Sequence, residues 1–122
     1  MRRSVRGSVS YHAGRSAEFC VATEYERRGY SIAQRRWRGA GGEIDLIARN
    51  ADGLVFVEVK KSRSFEAAAA RINRRQMDRI CASAAQYLEQ EPGGQLTNTR
   101  FDAALVDDTG TVQIIENAFG MN

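Results

Sequence analysis

Asp45, Glu58 and Lys60 are the residues whose types and spacing best support chemistry in this chain. They lie in two short segments rich in β-branched residues, 43–49 (EIDLIAR) and 54–60 (LVFVEVK), separated by Asn50-Ala51-Asp52-Gly53. That pattern predicts a β-hairpin. Strand side chains alternate between faces, which puts Leu54, Phe56, Glu58 and Lys60 together, and likewise Glu43, Asp45 and Ile47 on the partner strand. With a four-residue loop, Arg49 faces Leu54 and Asp45 faces Glu58. With the register slipped by two, Asp45 faces Lys60. In both cases the two carboxylates and the lysine share one face.

Directly opposed side chains stand about 4.5–5.5 Å apart at Cβ, and like charges there repel. Between strongly apolar strands such a pair needs a cation, or one member keeps its proton. Lys60 supplies one positive charge; a divalent ion supplies two. Hard oxygen donors on adjacent strands suit Mg²⁺ or Mn²⁺. An internal Asp/Glu–Lys salt-bridge cluster would use the same residues, and the hairpin alone does not separate the two readings. Lysine usage adds a point: of 18 basic residues only Lys60 and Lys61 are lysines, and one of them stands beside the carboxylates. A lysine is a compact charge whose pKa can be tuned, whereas an arginine cannot be deprotonated.

Composition removes other chemistries. His12 is the single histidine, and Cys20 and Cys81 are isolated with no CxxC, so a Cys/His zinc site cannot be assembled. A Ser-His-Asp triad would have only His12 to use. Isolated cysteines in helix-like stretches point to a reduced, cytoplasmic protein. No run approaches the roughly 18 apolar residues of a membrane span, and no apolar segment follows the basic N-terminus to make a secretory signal. Charge is uneven: net +6 over residues 1–40, +1 over 41–90 and −4 over 91–122. A cationic front half suits an anionic partner, nucleic acid being the common one. The solvated surface of an arginine-rich protein would look the same.

The elements that must position these residues read as follows. Residues 1–10 are polar and basic with no sustained period, a flexible arm. Residues 14–28 have apolar positions at helical spacing (Ala17, Cys20, Val21, Tyr25) and end at Gly29. Residues 30–38 read as a strand, and Gly39, Gly41 and Gly42 as a turn before the hairpin. Residues 66–90 read as one long helix with Met77, Cys81, Ala84 and Leu88 in a stripe, Ile80 and Tyr87 beside it, and Pro92-Gly93-Gly94 as its stop. Strands at 100–107 and 111–116 follow, joined by Asp108-Thr109-Gly110. At 122 residues with 43% apolar content and 1 Pro, the chain has room for one domain, over 11–122, of order α-β-β-β-α-β-β.

Gly42-Glu43-Ile44-Asp45-Leu46-Ile47 followed by Phe56-Val57-Glu58-Val59-Lys60 resembles the D…ExK core of the PD-(D/E)xK nuclease superfamily, which includes restriction endonucleases and archaeal Holliday junction resolvases. Within it, the chain resembles the YraN-type family of predicted endonucleases. Further marks are Gly14-x-x-Ala17-Glu18, Gly29-Tyr30, Ala84-x-x-Tyr87-Leu88, Arg100-Phe101-Asp102 and Asn117-Ala118-Phe119. The resemblance implies a restriction-endonuclease-like α/β fold with a mixed central sheet flanked by helices. Asp45 and Glu58 would bind the metal, Lys60 would assist, and Glu18 would reach the site from the first helix. Glu43, nearer the strand start, would sit beside the site or partner Lys60. The chain departs from relatives in carrying Ser62 and then Arg63 where they often place an arginine, and Gln76 where they often place a lysine; a glutamine there can hold a water or a phosphate.

The activity expected on these grounds is metal-dependent hydrolysis of DNA phosphodiester bonds. Arg35, Arg36, Arg38 and Arg63 would contact backbone rather than bases, so selectivity for branched or single-stranded structure is expected over selectivity for sequence. A homodimer would follow from the resolvase likeness, although no dimer surface is evident in the sequence. The alternatives are a non-catalytic nucleic-acid-binding module on the same fold, and a small structural protein whose acidic cluster is only a salt bridge.

Overall fold

The computed structural model describes residues 13–118; the expected basic arm and His12 lie outside the described residues. Helix α1 (Ala13–Arg27) buries Ala17, Val21, Ala22 and Tyr25, a three-to-four-residue repeat that makes one apolar stripe. Gly29, at φ 97°, turns the chain into strand β1 (Ser31–Gly39), which β2 (Gly42–Asn50) and β3 (Gly53–Lys61) follow as an antiparallel meander. In the β2–β3 turn, Asn50 Oδ1 accepts from the Asp52 and Gly53 amides at 2.9 and 3.2 Å. The chain at Asn98 passes so close that a Cβ at Gly53 would collide with the Asn98 carbonyl oxygen.

The expected single helix over 66–90 is two helices, α2 (Phe65–Ala69) and α3 (Arg74–Leu88). Each has its own cap: Ser64 Oγ accepts from the Ala67 amide at 3.1 Å and Asn73 Oδ1 from the Gln76 amide at 2.9 Å. An extended Asn73 (φ −131°, ψ 164°) cannot continue a helix, so the alanine-rich run stops before it. A 3₁₀ turn at Gly94–Leu96, not expected from the sequence, leads into β4 (Thr99–Val106), and β5 (Val112–Ile115) closes the order.

The five strands lie in the order β1-β2-β3-β4-β5. All neighbouring pairs are antiparallel except β3–β4, which is parallel because α2 and α3 carry the chain back across the sheet. The sheet is therefore mixed, and helices flank it. On one face α3 contributes Ile80, Ala84, Tyr87 and Leu88 to a cluster with Ile47, Leu54, Phe56 and Phe101. On the other, α1 packs on Leu46, Val55, Val57, Ala104 and Val106. Within the second cluster sits a wholly buried charge: Asp102 accepts from Tyr25 Oη at 2.6 Å, from Arg100 Nε and Nη2 at 2.8 and 2.9 Å, and from the Asn117 amide at 2.9 Å. Cys20 and Cys81 are free thiols, and among the described residues no helix is long and apolar enough to cross a membrane.

Candidate functional site

The β2–β3 ladder runs from Asn50↔Gly53 to Leu46↔Val57 and stops there. One step on, where a continued ladder would oppose Asp45 and Glu58, the Val59 amide instead donates to Asp45 Oδ2 at 2.8 Å. A side-chain carboxylate has replaced a backbone acceptor, and the strands part. Face alternation breaks at the same point: Ile44 and Ile47 both pack toward α3, whereas Leu46 and Ala48 pack toward α1. The strict alternation expected of this strand is therefore interrupted at Asp45, which lines a cavity on each side of the sheet. β1 makes a matching adjustment. Arg36, between the pairs Arg35↔Leu46 and Trp37↔Ile44, adopts φ 51°, a left-handed conformation uncommon for residues other than glycine.

Glu58 is 5% exposed. Its Oε2 receives Lys60 Nζ at 3.0 Å and Gln76 Nε2 at 2.6 Å. Burial, and then the Glu58 charge, push the Asp45 carboxyl up to about 8; the Val59 amide opposes this, and the Glu18 charge adds to it. Without a further cation the pair holds a proton at neutral pH.

On the α1 side, a cavity of about 540 Å³ has Glu18, Asp45, Glu58 and Lys60 among its walls, with Lys61, Arg63 and Arg71 contributing positive charge. On the α3 side, a smaller one of about 250 Å³ is lined by Asp45, Glu58, Gln76, Glu43 and Arg79. The hairpin tip that starts β2 is fixed to α3: Ser83 Oγ donates to the Gly42 carbonyl at 2.8 Å, and the Ala40 amide donates to Gln86 Oε1 at 2.6 Å. A Cβ at Gly41 would lie 2.6 Å from the Arg79 carbonyl oxygen, so this contact requires glycine.

Asp45, Glu58 and Lys60 thus come together, and Glu18 joins them at the wall of the larger cavity. Glu18 carries an ion pair with Arg36 (Nε–Oε1 3.0 Å, Nη2–Oε2 3.4 Å). Glu43 is paired with Arg38 at 3.8 Å rather than with Lys60, whose partner is Glu58. Arg35, Arg38 and Arg63 are exposed. Gln76 spends its amide nitrogen on Glu58, and its Oε1 is buried with no hydrogen-bond partner. Its position was legible: one turn before Ile80, a polar residue on the apolar stripe of α3. Arg71, at the start of the arginine-rich run 71–79, lies in the break between the helices, where its Nη1 donates to the Lys61 carbonyl at 2.8 Å.

Among the described residues no group of three or more His, Cys, Asp or Glu side chains is arranged to hold a metal ion. Asp45 and Glu58 are nonetheless two hard oxygen donors whose combined charge is not balanced, and the orphaned Gln76 Oε1 is a third. Mg²⁺ is commonly held by one or two carboxylates and keeps several waters, so these residues fit a divalent ion.

Comparison with known proteins gives a family match. The model of uncharacterised protein family UPF0102 matches residues 17–106. A UPF0102 protein of Cereibacter sphaeroides strain KD131 is 62% identical over 113 residues, covering 93% of this chain and 97% of its own. One of Ruegeria pomeroyi is 58% identical over 115 residues, covering 94% of each chain. One of Dinoroseobacter shibae is 39% identical over 115 residues, covering 94% of this chain and 86% of its own.

Proposed function

The chain belongs to family UPF0102, the YraN type, and from that premise and its site geometry we propose that it is a metal-dependent nuclease hydrolysing DNA phosphodiester bonds. The observation that carries this reading is the parting of β2 and β3 at Asp45 and Glu58, which leaves two carboxylates and Lys60 on the wall of an open, cation-lined cavity. A fold that needed only a salt bridge would have no reason to break its ladder there and drive Asp45 to about 8.

Asp45 and Glu58, with Gln76 Oε1, would hold Mg²⁺ or Mn²⁺, which neutralises phosphate charge and lowers the pKa of water. Gln76 Nε2 fixes the orientation of Glu58. The Lys60 ammonium has two further protons to donate beyond the one on Glu58, to the attacking water or to a phosphate oxygen as charge builds there. Lys61, Arg63 and Arg71 would hold the neighbouring phosphates. All of these contacts are to backbone, which favours selectivity for strand structure over base sequence. A cleavage assay with Mg²⁺ or Mn²⁺ on single-stranded, duplex, flap and four-way DNA tests the proposal, and no cleavage of any of them would refute it. The second reading, a non-catalytic nucleic-acid-binding module, is favoured by one observation: Glu18 and Glu58 already have cationic partners within the protein.

Lys60→Arg is expected to lower the cleavage rate at least about tenfold with little change in DNA affinity. The charge survives, but a planar guanidinium cannot take the place of a compact ammonium with 13% side-chain exposure. Single-turnover rates check this; full activity would make Lys60 a counter-charge only.

DNA affinity is expected to fall steeply with salt, each neutralised phosphate adding about −0.9 to the slope of log K against log salt on a duplex. Charge reversal at Arg35, Arg38 or Arg63 should weaken all substrates alike. Fluorescence anisotropy at several salt concentrations measures both effects, and a flat response would remove DNA as the partner.

A further inference from the structure

Four carboxylates reach the wall of the larger cavity: Asp45 and Glu58 stand side by side, and Asp108 pairs with Lys61 at 3.7 Å. The remaining one, Glu18, has both oxygens engaged by Arg36, at 3.0 and 3.4 Å. Arg36 comes from the edge strand β1, with 45% of its side chain exposed and Arg35 and Arg38 as exposed neighbours. Its backbone at φ 51° is costly for a residue with a Cβ, and the cost would be relieved by a return to extended geometry.

We propose that Arg36 is a latch on Glu18: it withholds the third carboxylate until a nucleic-acid phosphate draws the guanidinium away, whereupon Glu18 joins Asp45 and Glu58 around the divalent ion. The proposal rests on the nuclease reading above. Phosphate and carboxylate compete for the same guanidinium fork. Once Arg36 leaves, no other cation among the described residues pairs with Glu18, and a third negative charge beside Asp45 and Glu58 is best satisfied by the ion. Metal and nucleic acid then bind with positive coupling, so that a metal is held weakly by the free protein and tightly in the complex.

The test is isothermal titration of Mn²⁺ into the full chain without nucleic acid. Arg36→Gln, and Arg36→Gly, which suits the left-handed backbone, should each tighten Mn²⁺ binding at least about fivefold, the lower end of ordinary coupling between sites. Arg35→Gln makes the same charge change at a residue with no ion pair among the described residues, and should do much less. Adding Glu18→Gln to Arg36→Gln should abolish the gain. The latch is overturned if Arg36→Gln binds Mn²⁺ no more tightly than Arg35→Gln, or if the gain survives Glu18→Gln. Wild-type binding that requires Asp45 and Glu58 but ignores Arg36 would overturn the latch alone. Absence of Mn²⁺ binding in every variant would overturn the latch and the nuclease reading together.

Discussion

Asp45→Ala is expected to lower metal-stimulated cleavage by at least about 10³-fold, the several kcal/mol that charge neutralisation by a metal supplies, while raising the melting midpoint of the metal-free protein by several degrees at about pH 8. The two effects have one origin. Burial and the Glu58 charge hold the Asp45 carboxyl at about 8, against 3.8 for an unperturbed one. Between those values the folded protein binds more protons than the unfolded chain, so stability falls as pH rises from about 4 to about 8 and levels off above. Removing the carboxylate removes that slope and the repulsion on Glu58, at the cost of the bond from the Val59 amide. Thermal melts of wild type and mutant across this pH range, without metal, should show a falling curve and a flatter one that cross. A mutant that stays active and loses several kcal/mol at every pH would make the cluster a structural salt bridge.

Asp102→Ala should cost about 3–5 kcal/mol of folding stability, the usual penalty for breaking a buried charge pair from one side. Asp102 has no exposed surface and satisfies four donors. Its loss leaves the buried Tyr25 hydroxyl, a phenol whose ionisation burial and Asp102 already suppress, without its acceptor. Among the described residues Arg100 then keeps Tyr30 Oη at 3.1 Å and Glu116 at 3.7 Å. The Asn117 amide, which ties the chain after β5 back to β4, is released as well. Asp102→Asn preserves shape without charge and should fall between wild type and alanine. Urea unfolding measures all three proteins; a loss below about 1 kcal/mol would show that the network carries little stability.

The sequence made the hairpin legible because its turn does the arithmetic. Asn50 to Gly53 set Arg49 against Leu54, and the observed register follows to Leu46↔Val57. It could not show where pairing ends. Alternation is a property of a paired strand, and at Asp45 the pairing is given up for a side-chain bond to Val59. The helix break was legible in part, since Asn73 three residues before Gln76 is a capping pattern, but the alanines before it read as continuous helix. Arg100-Phe101-Asp102 stood out only by resemblance. Its physical reason lies in Tyr25, far away in sequence, and no local pattern could have supplied that partner. Glu18 was placed at the cavity by the same resemblance, while its bond to Arg36 depends on a backbone angle that sequence does not encode.

Strand β1 has a consequence for solubility. It forms one edge of the sheet, and an open edge is a template on which another chain can add a strand. Here the edge is spoiled three times: its pairing slips between Ile32 and Gln34, its backbone turns left-handed at Arg36, and Arg35, Arg36 and Arg38 crowd it with like charge. The opposite edge, β5, is only four residues long. By that principle the arginines proposed to meet phosphate also oppose edge-to-edge pairing of two such chains. Replacing all three with alanine would expose that edge, whereas replacing them with glutamate would leave it guarded by charge of the other sign.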